Sequence, residues 1–121
     1  MPQELRPRVV LADDHEGMLQ VFQRLLEPYC EIVGSVKDGR ALLQAVASLS
    51  PDVVVVDVNI PAVNGIEACD LIRQSAPRTR VVIVTVADDA AIRQQAFSLG
   101  ASAFVLKYRA ADELLAAVRK R

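Results

Sequence analysis

Five short apolar runs punctuate the chain: Arg8–Ala12, Glu31–Val36, Val53–Val56, Arg80–Val84 and Ser102–Leu106. Runs this short and this rich in β-branched residues read as buried strands. The stretches between them carry apolar residues at helical spacing instead. In His15–Glu27 these are Met18, Val21, Phe22, Leu25 and Leu26, with Pro28 as the stop. Asp38 reads as the N-cap of a helix through Ala41, Leu42, Val46 and Leu49. Pro61 and Asn64-Gly65 mark a loop before a helix over Ile66–Ser75, with Pro77 beyond it. Asp88–Leu99 is a fourth helix ended by Gly100 as a left-handed cap, and Asp112 is the expected cap of a fifth carrying Leu114, Leu115 and Val118. Alternation of this kind demands a parallel sheet covered on both faces. Val53–Val56, the most apolar run, belongs at its centre.

The expected fold is therefore α/β: a five-stranded parallel sheet in the order 2-1-3-4-5, flanked by five helices, doubly wound and flavodoxin-like. Residues 1–121 make one domain, and 52% apolar against 24% charged residues supports a core rather than disorder. A net charge of −1 gives this segment no electrostatic case for contacting nucleic acid. The basic Arg119-Lys120-Arg121 reads as cations favourably placed at a helix C-terminus. Cys30 and Cys69 lack metal-site spacing and are expected as buried, reduced thiols. Met1–Arg8 lacks the apolar stretch of a signal peptide, and no run approaches the ~20 residues that span a membrane. A soluble, cytoplasmic domain is expected.

Polar groups follow the apolar runs: Asp13-Asp14 the first, Asp57 the third, Thr85 the fourth and Lys107 the fifth. In the order 2-1-3-4-5 they meet at the carboxyl edge of the sheet, where open α/β folds bind ligands. A single Asp after a strand is usually a turn former or helix cap. Three of them after two neighbouring strands repel one another unless a cation intervenes. Mg²⁺ suits such a site, because it takes oxygen ligands and binds one or two carboxylates beside a phosphate. Lys107 then serves as a phosphate-binding point charge instead of snorkelling to water, and the Thr85 hydroxyl as a donor to a phosphoryl oxygen. His15 is expected as a solvated first-turn residue, and Asp88-Asp89 as a charge pair at a helix N-terminus. Asn59 reads equally as a loop residue or as a group orienting a hydrolytic water.

Asp13-Asp14, Asp57 within Val-Asp-Val-Asn-Ile-Pro-Ala-Val-Asn-Gly, Thr85 and Lys107 together resemble the receiver domain of bacterial two-component response regulators. The resemblance runs from Arg8 to Lys120. The Asp-Asp-His start and Leu99–Lys107 are most similar to receivers of the LuxR/NarL type, in which a helix-turn-helix DNA-binding domain follows. The resemblance implies that Asp57 accepts a phosphoryl group from a phosphohistidine on a cognate sensor histidine kinase. It further implies that Asp14 and Asp57 hold Mg²⁺ directly, Asp13 through water, with the Asn59 backbone carbonyl as a further ligand. Thr85 and Lys107 would bind the phosphoryl oxygens, and Thr85 and Phe104 would relay the change to helix 4, strand 5 and helix 5. That surface is the expected contact for a second copy, as a homodimer formed on phosphorylation, or for a C-terminal output domain.

The chain departs from the family pattern at Tyr108, where proline often stands, at Val86, where alanine is common, and at Phe104, often a tyrosine. A cis bond before Tyr108 would cost ~3 kcal/mol, so a trans bond is expected. Val86 is expected to narrow access to Asp57. Two rival functions stand against the signalling switch. A Mg²⁺ phosphatase of the haloacid dehalogenase kind wants a second Asp two residues after the nucleophile, where this chain has Asn59. A receiver-like interaction module outside phosphorylation control typically lacks an acidic residue or the lysine, and this chain keeps them.

Overall fold

The computed structural model describes residues 6–120; Met1–Leu5 and Arg121, with them most of the segment read for a signal peptide and the end of the basic cluster, lie outside the described residues. The elements run β1 (Arg8–Ala12), α1 (Glu16–Leu26), β2 (Glu31–Val36), α2 (Gly39–Leu49), β3 (Val53–Asp57), α3 (Gly65–Ser75), β4 (Arg80–Thr85), α4 (Ala90–Ser98), β5 (Ala103–Leu106) and α5 (Ala110–Arg119). The five strands pair in parallel, as the alternation predicted, and in the expected doubly wound order β2-β1-β3-β4-β5.

Residues alternate sides along each strand, and this makes two cores. Val9, Leu11, Val53, Val55, Val82 and Val84 face α1 and α5, meeting Leu19, Phe22, Leu26, Leu114 and Val118. Val10, Ala12, Val54, Val56, Val81 and Ile83 face α2, α3 and α4, meeting Leu42, Val46, Cys69, Ile72 and Ala96. Side chains buried this fully stabilise by about 1.5–3 kcal/mol each, which fixes the sheet that carries the site. Both cysteines are free and buried, and burial pushes the Cys69 thiol up to about 11. Among the described residues no helix is long and apolar enough to cross a membrane.

The helix ends show why these segments stop where they do. Asp38 accepts from the Ala41 amide at 2.7 Å, as its N-cap role requires. Asp89, not Asp88, caps α4 by accepting from Ala91 and Ile92, so that helix opens at Ala90. Gly100 takes φ +105°, with its own amide on the Phe97 carbonyl and the Ala101 amide on that of Ala96, a Schellman stop. The expectation for Asp112 is corrected. A 3₁₀ turn over Lys107–Arg109 runs straight into α5, so Asp112 lies inside the first turn, where its charge favours the helix dipole without capping.

Arginines from elsewhere cover the C-termini of four helices. Arg6 donates to the carbonyls of Glu27 and Cys30, Arg8 to those of Leu49 and Ser50, Arg73 to Leu99, and Arg80 to Val118 and Lys120. Each supplies a partner and a positive charge to carbonyls the helix cannot satisfy itself.

Candidate functional site

Strand register alone assembles the polar residues. Ala12 pairs with Val56, Asp57 with Val84, and Thr85 with Leu106. Asp13, Asp57, Thr85 and Lys107 therefore lie side by side along the carboxyl edge of β1, β3, β4 and β5. Asp57 and Thr85 are the last residues of their strands rather than the first beyond them. Asp13, Asp57 and Thr85 are all buried.

Lys107 joins the two buried carboxylates. Its Nζ lies 2.7 Å from Asp13 Oδ2 and 3.4 Å from Asp57 Oδ2, with the side chain only 8% exposed. The contact to Asp13 is an ion pair without hydrogen-bond geometry, so Asp13 Oδ2 is buried with no hydrogen-bond donor. Burial pushes the Asp57 carboxyl above its usual range; Lys107 pulls it back, the Asp13 charge raises it again, and the nearby Asn59 backbone amide lowers it.

Asp14 sits further out, its side chain 38% exposed. His15 is solvated, as expected, but its Nδ1 also lies 3.1 Å from Asp14 Oδ1 and 3.3 Å from Asp13 Oδ1, contacts that sequence reasoning did not anticipate. One ligand atom each from Asp13, Asp14 and His15 falls within 4.8 Å of the others. An under-satisfied buried carboxylate oxygen beside a second carboxylate fits a hard divalent cation, which prefers those oxygens to the imidazole.

The flanking residues are placed as follows. Asn59 is exposed in the loop after β3. Val86 and Tyr108, both exposed, line a groove of about 440 Å³ with His15, Met18 and Lys107. No described peptide bond is cis, so Tyr108 follows a trans bond. Phe104 is half-buried on β5, packed on the α4 side of the sheet, with the Arg93 guanidinium of α4 5.2 Å from its ring centroid.

Two residues at the site were not singled out from sequence. A Cβ on Gly65 would meet the Asp57 carbonyl at 2.5 Å, so α3 begins closer to β3 than any other residue permits. The Asn64-Gly65 dipeptide signalled the turn but not this approach. A Cβ on Gly39 would meet the Val63 carbonyl at 1.8 Å, and nothing in its local sequence announces that long-range contact.

Comparison with known proteins agrees with this geometry. The family model described as the response regulator receiver domain matches residues 9–119. The transcriptional regulatory protein DegU of Brevibacillus brevis is 34% identical over 118 residues, covering 96% of this chain and 50% of the relative. A protein-glutamate methylesterase/protein-glutamine glutaminase of Thermotoga maritima is 38% identical over 104 residues, 83% of this chain but 30% of that protein. The chain thus spans about half the length of the curated regulators it matches. Among solved structures, a LuxR-family two-component response regulator from Aurantimonas superposes with a TM-score of 0.88 at 33% identity, over 93% of this chain and 82% of that one. The receiver domain of NarL from Mycobacterium tuberculosis superposes with a TM-score of 0.86 at 30% identity, over 96% and 98%. The match disfavours the haloacid dehalogenase alternative, already weakened by Asn59. Fold, carboxyl-edge geometry and relatives converge: this chain belongs to the response regulator receiver domain family.

Proposed function

We propose that Asp57 accepts a phosphoryl group from the phosphohistidine of a cognate sensor histidine kinase, and that this event switches a cytoplasmic regulator of the LuxR/NarL type. The observation that carries the proposal is Lys107, buried and shared between Asp13 and Asp57 at the strand ends. An anionic carboxylate attacks an anionic phosphoryl group only where fixed positive charge offsets the repulsion. In the transfer, an Asp57 oxygen forms the bond to phosphorus while the phosphorus–nitrogen bond to the donor imidazole breaks. Lys107 is placed to stay with the transferred oxygens, and the Thr85 hydroxyl to donate to one of them.

Mg²⁺ is the proposed cofactor, held by Asp14 and Asp57 directly, by Asp13 through water and by the Asn59 carbonyl. When bound it would supply charge neutralisation between the carboxylates and the incoming phosphoryl group. This receiver is proposed to turn over no external substrate. Transfer would draw Thr85 inward and release Phe104 toward α4, altering the surface of α4, β5 and α5. That surface would then bind a second copy or a C-terminal DNA-binding domain. Incubation with acetyl phosphate and Mg²⁺ should add one phosphoryl group, acid-stable and labile to hydroxylamine. Retention of that label in Asp57→Ala would overturn the assignment.

A further inference from the structure

We propose that Gly39, at the start of α2, is a positioning residue for the phosphorylation site: it holds the loop over residues 58–64 that sets Asn59 beside Asp57. The inference rests on Asp57 being the phosphoacceptor. Four backbone hydrogen bonds fix this loop. Val58 donates to the Val84 carbonyl at 3.1 Å and Gly65 to the Val58 carbonyl at 2.9 Å, which closes the base. At the tip the Pro61 carbonyl accepts from Val63 at 3.0 Å and, from outside the loop, from Gly39 at 3.0 Å.

The tip is strained. Ala62 sits at φ +72° between Pro61 and Val63, in a three-residue turn that a side chain rarely adopts. Such a conformation persists only where the surroundings over-determine it. Here the surroundings are Gly39, whose missing side chain lets the Val63 backbone lie against it. A Cβ there would approach the Val63 carbonyl oxygen to 1.8 Å and its carbonyl carbon and Cβ to 2.7 Å. Two of these three atoms are backbone, so no rotamer change relieves the clash. α2 is anchored by the Asp38 cap and by buried Leu42 and Val46. The loop is the weaker partner and would give way, carrying Asn59 off Asp57 while the strand ladder keeps Asp57 in place.

The test compares the wild-type chain with Gly39→Ala and with Gly17→Ala, an equivalent change where a Cβ meets nothing within 4 Å. With acetyl phosphate and Mg²⁺, folded Gly39→Ala should label on the order of tenfold more slowly, since displacement of a reacting group by an ångström carries losses of that size or more. Its Mg²⁺ affinity should fall, and the amides of Asp57 and Asn59 should shift in the metal-free protein. Gly17→Ala should match wild type in all of these. Wild-type rate and Mg²⁺ affinity in folded Gly39→Ala would overturn the inference. If that variant does not fold, wild type decides: beryllofluoride with Mg²⁺ should slow hydrogen exchange at the Gly39 amide together with Asn59. A response at Asn59 with none at Gly39 would overturn it. Wild type that takes no label would instead overturn the assignment of Asp57, and this inference with it.

Discussion

Replacing Lys107 with Met removes the ammonium placed between two buried carboxylates. At an effective dielectric constant of about 20, charges 2.7 and 3.4 Å apart attract by about 6 and about 5 kcal/mol. Desolvation of the ammonium offsets most of that gain, so the pair contributes far less net. Removal of one partner is different, because Asp13 and Asp57 then remain buried, uncompensated and mutually repulsive. Losses of about 3–5 kcal/mol are typical of such a truncation. Asp14 leaves the site partly open to solvent, which places the expectation at the lower end, about 3 kcal/mol, measured by urea unfolding in EDTA. Mg²⁺ at ten times its dissociation constant should restore about 1.4 kcal/mol. Combining Lys107→Met with Asp57→Asn should recover more than about 1 kcal/mol of the loss, as coupled neighbours do. A loss below about 0.5 kcal/mol, the size of an ordinary surface substitution, would refute the claim that Lys107 neutralises the site.

Asp57→Asn should stabilise the metal-free protein at neutral pH by roughly 1–2 kcal/mol, since a buried charge is removed and Lys107 keeps Asp13. The folded carboxyl titrates above its unfolded value, so its cost exists above the folded pKa and is gone below the unfolded one; the gain in melting temperature should vanish as pH falls through that window. Mg²⁺ titration should show a larger affinity loss for Asp14→Asn than for Asp13→Asn, and equal losses would refute the assignment of direct and water-mediated ligands. Arg80→Met should cost about 1–2 kcal/mol in thermal unfolding, because the C-terminal carbonyls of α5 lose their donor. Beryllofluoride should move amide resonances of Thr85, α4 and Phe104, with Arg93 leaving the Phe104 ring; changes confined to the Asp57 loop would contradict the proposed relay.

Most of the sheet was legible because its signals are local. A run such as Val53–Val56 has no polar residue and fits a strand buried on both faces, and its parallel pairing follows from the alternation of elements. The site was legible for the same reason: once Ala12 and Val56 are neighbours, Asp13 and Asp57 must meet. What escaped depends on backbone geometry that residue type does not fix, or on contacts between distant segments. Asp112 looked like a cap because Asp usually is one, but the turn over Lys107–Arg109 had already started the helix. Asp88 and Asp89 are equivalent by type, and backbone geometry alone selects Asp89. Nothing near Gly39 in sequence announces the Val63 carbonyl, and the His15 contacts depend on how the chain leaves β1.

Borohydride trapping tests the central claim most directly. The chain is phosphorylated with a small-molecule donor and Mg²⁺, reduced with borohydride, digested and sequenced by mass spectrometry. The acyl phosphate at the end of β3 should be converted to homoserine at position 57, and omission of Mg²⁺ should abolish the product. Homoserine at position 13 or 14, or no reducible acyl phosphate in wild type, would contradict the account.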